Sequence, residues 1–199
     1  MTPAVRARGP LAGGLLPEVV ARAASCPGES VARAVLELLE PLPADAVLEL
    51  GCGSGRLLSA VAARLRHGCV AGVDPSELMV RHARARNRRW IALGRAEVRA
   101  GHSEDLASFA EGRFDKVYGT HVVYFWTEPQ RDLAEIRRVL RPGGRLLLGF
   151  FPAEPGAREA TRFPIERAER LLAEAGFCEV RALRSAAGGR SLAWVHATR

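Results

Sequence analysis

The chain has 199 residues, 48% of them hydrophobic, enough for one domain with a full core and no need of a second. Its apolar runs, such as Leu146 to Leu148 and Phe150-Phe151, fall far short of the ~20 residues that span a bilayer, and Gly9-Pro10 and Gly13-Gly14 interrupt any signal-peptide core, so a cytoplasmic protein with no membrane partner is expected. The net charge of +7 invites nucleic acid, yet Lys116 is the only lysine, and arginine beside abundant alanine, glycine and leucine reads as compositional bias.

Residues 1–29, where proline and glycine recur, read as an N-terminal lid or tail, and 30–199 as the folded domain. Ser30 opens a helix through Glu40 that Pro41-Leu42-Pro43 stops. Strand Ala46 to Leu50 runs into Gly51-Cys52-Gly53-Ser54-Gly55, after which Leu57, Leu58, Val61, Ala62 and Leu65 recur at helical spacing. Strand Cys69 to Asp74 and helix Ser76 to Asn87 follow. The dense run Arg81 to Arg89 is taken as a solvated helix face, not an RNA-binding one.

Next come strand Ala96 to Ala100, a short helix near Glu104 to Ala110 and strand Phe114 to Gly119. Helix Pro129 to Leu140, turn Arg141 to Gly144, strand Arg145 to Phe150 and helix Pro164 to Ala175 complete the alternation. Strands Glu179 to Leu183 and Ser191 to Ala197 flank Ala187-Gly188-Gly189 as a hairpin. The expected fold is α/β: a single doubly wound Rossmann-like domain whose mostly parallel seven-stranded sheet has an antiparallel edge strand near the C-terminus.

In such sheets the ligand lies beyond the carboxyl ends of the strands, where strand order reverses. Glycines at 51, 53 and 55 tolerate positive φ and admit a ligand close to the backbone. Their spacing, G-x-G-x-G, departs from the G-x-G-x-x-G of dinucleotide binders. Asp74, 23 positions after Gly51, is placed to accept both hydroxyls of a ribose; capping the helix that follows is its other possible role. The four cysteines and five histidines show no C-x-x-C or H-x-x-x-H spacing, so no metal is expected.

Val47-Leu48-Glu49-Leu50-Gly51-Cys52-Gly53-Ser54-Gly55 resembles the first motif of class I S-adenosylmethionine methyltransferases, above all bacterial proteins with a methyltransferase type 11 domain. Gly72-Val73-Asp74-Pro75-Ser76-Glu77-Leu78-Met79 resembles their second motif, Phe114 to Tyr118 their fourth strand, and Leu133 to Arg145 the helix and glycine turn before their fifth. The resemblance covers Ser30 to the C-terminus and implies S-adenosylmethionine as cofactor. It implies that the backbone of Gly51, Cys52, Gly53 and Gly55 holds the methionine part and that Glu49 supports this loop. Asp74 would take the ribose, Pro75 and Met79 would flank the adenine, and Thr120 would border the cofactor after the fourth strand. Where the family carries an acid toward the adenine amino group, this chain has His102, which leaves that contact to the Ser103 backbone, to Glu104 or to a water.

The segment Thr120-His121-Val122-Val123-Tyr124-Phe125-Trp126 lies where cofactor and acceptor would meet, without the N-P-P-Y pattern of amino-group nucleic-acid methyltransferases. A small-molecule acceptor and no nucleic acid are therefore expected. If the acceptor must lose a proton, His121 is the first candidate base and Tyr124 the second; Phe125 and Trp126 read as packing groups. Two other readings stay open: an NAD(P)-dependent oxidoreductase, and a non-catalytic nucleotide-binding protein that keeps the pocket. The acceptor and the oligomeric state are not legible.

Overall fold

A computed structural model describes residues 28–152, 163–187 and 190–199. The expected lid or tail lies outside these up to residue 27. Helix α1 (Gly28–Leu39) buries Val31, Val35 and Leu39, the i, i+4 stripe that its sequence announces, and packs on α2. Strand β1 (Ala46–Leu50), helix α2 (Arg56–Ala62), strand β2 (Cys69–Asp74) and helix α3 (Glu77–Arg86) follow. Val47, Leu48, Leu50, Val70 and Ala71 are fully buried, which explains why these strands read as continuous apolar runs and not as alternating ones.

Helix α4 (Arg88–Ala92) and strand β3 (Ala96–Ala100) lead to β4 (Phe114–Thr120), a 3₁₀ turn (Val123–Phe125) and helix α5 (Pro129–Val139). Strand β5 (Leu140–Phe150), helix α6 (Ile165–Glu174), β6 (Cys178–Ala187) and β7 (Arg190–Thr198) close the chain. The seven strands form one sheet in the order β3-β2-β1-β4-β5-β7-β6. All neighbouring pairs are parallel except β5 with β7 and β7 with β6. The antiparallel strand of the hairpin is thus β7, one place in from the edge, where β6 covers it.

Three local details differ from expectation. No helix forms at 104–110, because α5 captures that backbone: the Glu135 carboxylate accepts the Leu106 amide at 3.1 Å, while Arg138 donates to Leu106 O at 2.9 Å and to Phe109 O at 3.0 Å. The arginine-rich segment breaks into α3 and α4 at Asn87, a fully buried side chain whose Nδ2 donates to Gly55 O and Ala83 O, both at 2.9 Å. Lastly, residues 141–144 do not form a turn ahead of β5 but an irregularity within it, with Leu140 paired to Phe114 and Arg145 to Lys116.

Lys116 serves the core and not a ligand. It is buried on β4, ion-paired with buried Asp45 at 2.9 Å, and also donates to Glu40 O, tying the start of the sheet to the end of α1.

Candidate functional site

Strand order reverses between β1 and β4, and the register brings Leu50 level with both Val73 and Gly119. The carboxyl ends of β1, β2 and β4 therefore open at one level, which collects the glycine turn, Asp74 and the Thr120–Trp126 segment on one rim. The turn is set by its own backbone. Cys52 N donates to Val73 O at 3.0 Å, Gly55 N to Cys52 O at 2.8 Å, and Ser59 N to Gly55 O at 3.2 Å, which starts α2.

Gly51 and Gly55 are needed on two counts. Their φ values are +61° and +73°, and a Cβ at Gly51 would lie 2.7 Å from Val122 Cγ1, one at Gly55 3.0 Å from Ala83 Cα. At Gly53, φ +50°, a Cβ would meet none of the described residues within 4 Å, so among these open space faces this residue. The Cys52 thiol, by contrast, turns into the core beneath Gly72, and burial pushes it far above the ordinary thiol range; only its backbone faces the turn.

Asp74, 7% exposed, accepts the Gly53 amide on Oδ2 at 2.8 Å and the Ser76 amide on Oδ1 at 2.9 Å. Ser76 Oγ accepts the Met79 amide and caps α3, so the capping role weighed for Asp74 is shared by a relay of two side chains. A carboxylate oxygen holds about two lone-pair sites, so each oxygen of Asp74 keeps capacity for a hydroxyl. Pro75 is exposed and Met79 half-buried, on the same rim.

Glu49 is 2% exposed on β1. Burial pushes its carboxyl well above the ordinary range, with the nearby Asp74 carboxylate acting the same way; the Tyr118 hydroxyl and the Leu58 backbone offset part of this. Neither its Oε2 nor the Tyr118 hydroxyl completes a hydrogen bond of good geometry among the described residues.

His121 has φ +61°, uncommon for a residue with a side chain, and its amide donates to Gly149 O at 2.7 Å. Its ring lies 4.5 Å from that of Phe151 and 6.3 Å from that of Tyr124, nearly parallel to the latter at 10°. Half-buried Thr120 ends β4 beside it, paired with Gly149. The Tyr124 hydroxyl is buried, accepts the Phe151 amide at 2.6 Å and donates to Phe151 O at 2.9 Å. These two hydrogen bonds make Tyr124 a clamp between the 3₁₀ turn and the end of β5.

Past β3, His102 is exposed and Ser103 and Glu104 half-buried. The Ser103 hydroxyl is held by two side chains: it donates to Asp132 Oδ1 and accepts Trp126 Nε1 at 3.0 Å. Asp132, which sequence reasoning did not single out, is thereby joined to the turn after β3. Its signal was an acid at the head of the apolar stripe Asp132, Ile136, Val139 on α5, all three buried. Val122, packed on Gly51, was missed as well, and nothing local marks it.

Comparison with known proteins agrees with this geometry. The methyltransferase domain family matches residues 48–148, about half the chain, from β1 into β5. Nocamycin O-methyltransferase of Saccharothrix syringae is 36% identical over 136 residues, 68% of this chain and 48% of the relative. Malonyl-[acyl-carrier protein] O-methyltransferase of Herminiimonas arsenicoxydans is 33% identical over 147 residues, 72% of this chain and 52% of the relative. The chain thus spans about half the length of these curated relatives. A crystal structure of a SAM-dependent methyltransferase from Aquifex aeolicus shares the fold, with TM-score 0.72 and 20% identity over 84% of this chain and 88% of that one. With the glycine turn, the buried acid at the end of β2 and this extended match in hand, the chain belongs to the methyltransferase domain family.

Proposed function

We propose that the protein transfers a methyl group from S-adenosylmethionine to a small molecule held over the ends of β4 and β5. One observation carries this reading: the glycine turn and the His121 segment adjoin, a Cβ at Gly51 lying 2.7 Å from Val122 Cγ1. A donor seated on the turn and an acceptor seated at His121 would be neighbours.

The residues present fit the cofactor. Space faces Gly53, the Asp74 oxygens keep lone pairs for a ribose diol, and buried Glu49 underlies the turn that would hold the methionine end. When bound, the cofactor supplies an electrophilic methyl on a sulfonium, so the protein's main task is alignment. His121, whose ring packs on Phe151 and lies nearly parallel to that of Tyr124, is oriented by these rings and by the hydrogen bond from its amide to Gly149 O, and is the group here to take a proton from an acceptor hydroxyl. Tyr124 holds that arrangement through Phe151. Both relatives named above are O-methyltransferases by name, which supports an oxygen nucleophile here.

The dinucleotide reading is set aside, because the third glycine of its turn is missing and the family match runs through the whole rim. The test is release of S-adenosylhomocysteine from S-adenosylmethionine across a panel of small hydroxyl, carboxyl, thiol and amine compounds. Turnover with an oxygen acceptor is the expected result; binding of the cofactor with no turnover on any class would favour the non-catalytic reading instead.

A further inference from the structure

Three segments that share no stretch of sequence meet at one hydroxyl. Ser103, in the turn after β3, donates to Asp132 on the first turn of α5 and accepts the indole N–H of Trp126, which ends the segment carrying His121. The Ser103 oxygen is thereby committed to its neighbours. The Ser103 and Glu104 amides make no hydrogen bond to other described residues, so the turn keeps donors for a ligand. Asp132 is only 3% exposed, an unusual place for a carboxylate with no ion pair among the described residues.

We infer that Asp132 is a positioning residue which, through Ser103 and Trp126, locks the cofactor side of the rim to the acceptor side. The inference rests on the methyltransferase reading, since it assigns the turn after β3 to the adenine end. Physically the arrangement is a relay: an acceptor fixed on a helix orients the serine hydroxyl, and the oriented oxygen leaves one lone pair in line with the indole N–H. If Asp132 loses its acceptor strength, Ser103 is free to rotate and Trp126 loses its partner. Adenine-side and acceptor-side loops then move independently.

The groups that face Asp132 are Ser103, His102 and Glu104 from the turn after β3. Burial raises its carboxyl to about 6, with Glu104 adding to the rise and Ser103 and His102 opposing it. A neutral acid is the weaker acceptor, so the lock loosens as pH falls through that value.

The test is titration of the whole chain with S-adenosylhomocysteine between pH 5 and 8, together with tryptophan emission. Ser103→Ala and Asp132→Ala should each weaken binding at pH 8 by about tenfold, the double variant should be no worse than either single one, and the emission assigned to Trp126 by Trp126→Phe should shift in both. Wild type should lose about fivefold in affinity from pH 8 to pH 5, the difference between a charged and a neutral acceptor, while isosteric Asp132→Asn stays flat. The Asn variant keeps the side-chain shape, so it remains informative if the alanine variants fail to fold. Additive losses in the double variant, or the wild-type pH profile surviving in Asp132→Asn, would overturn the inference. No binding of S-adenosylhomocysteine by wild type at any pH would instead remove the underlying functional reading.

Discussion

Asp74 Oδ2 accepts the Gly53 amide at 2.8 Å, so the end of β2 and the glycine turn after β1 are held as one piece before any ligand arrives. The same carboxylate accepts the Ser76 amide, which couples the turn to the start of α3.

Asp74→Ala should therefore lower stability as well as affinity. Hydrogen bonds to a charged group contribute about 1.5–3 kcal/mol each, and two backbone amides would lose their acceptor in a nearly buried place. Urea denaturation should show a loss of about 2 kcal/mol or more, and affinity for S-adenosylhomocysteine should fall at least ~10-fold. Asp74→Asn, which keeps one acceptor oxygen, should fall between. Unchanged denaturation of the alanine variant would mean that the turn holds itself.

Gly51→Ala and Gly53→Ala separate conformation from crowding. Both positions have positive φ, which disfavours alanine by roughly 1–2 kcal/mol, but only at Gly51 would the new methyl meet a neighbour, Val122 Cγ1 at 2.7 Å. The urea midpoint should fall further for Gly51→Ala. For Gly53→Ala the expected loss is chiefly in ligand affinity, because its methyl enters open space on the rim. Greater destabilisation at Gly53 would contradict the described turn.

The buried Glu49 gives a pH dependence with a definite sign. Its folded carboxyl is raised well above 4.5, so the fold holds this proton more tightly than the unfolded chain does. The contribution is fully present below the unfolded value and is lost as pH rises through the folded one, at about 1.4 kcal/mol per pH unit. Glu49→Gln, neutral at every pH, should remove that part of the slope when ligand-free stability is measured from pH 4.5 upward. A variant less stable than wild type at pH 8, with the slope intact, would mean that Glu49 is ionised in the fold.

His121→Asn is the informative variant at the acceptor side, because asparagine tolerates the φ of +61° better than alanine does. Loss of about a hundredfold in turnover, with cofactor affinity within a few-fold of wild type, is the outcome expected of a general base. Tyr124→Phe should instead lower stability by about 1 kcal/mol through Phe151. Wild-type turnover in His121→Asn would reduce that side chain to a wall of the pocket.

The parts of the site legible in the sequence are those made by short stretches of chain. Gly51 to Gly55 and Asp74 announce themselves because a strand, a tight turn and a helix follow one another within a few residues, and the register of parallel strands then brings them level. The clamp made by Tyr124 is hidden for the opposite reason: its hydroxyl meets the backbone of Phe151, 27 positions away and just past the end of β5. Asp132 and Ser103 meet across 29 positions, and no local pattern reports a hydroxyl's choice of partner. The helix expected at 104–110 failed likewise, since its apolar spacing is real but Arg138 and Glu135 take its backbone groups from outside.

Calorimetric titration of the purified protein with S-adenosylhomocysteine and, separately, with NADH tests the central claim most directly. Saturable heat with S-adenosylhomocysteine and none with NADH is the predicted result. Saturable NADH binding with no heat from S-adenosylhomocysteine at millimolar concentration would contradict it.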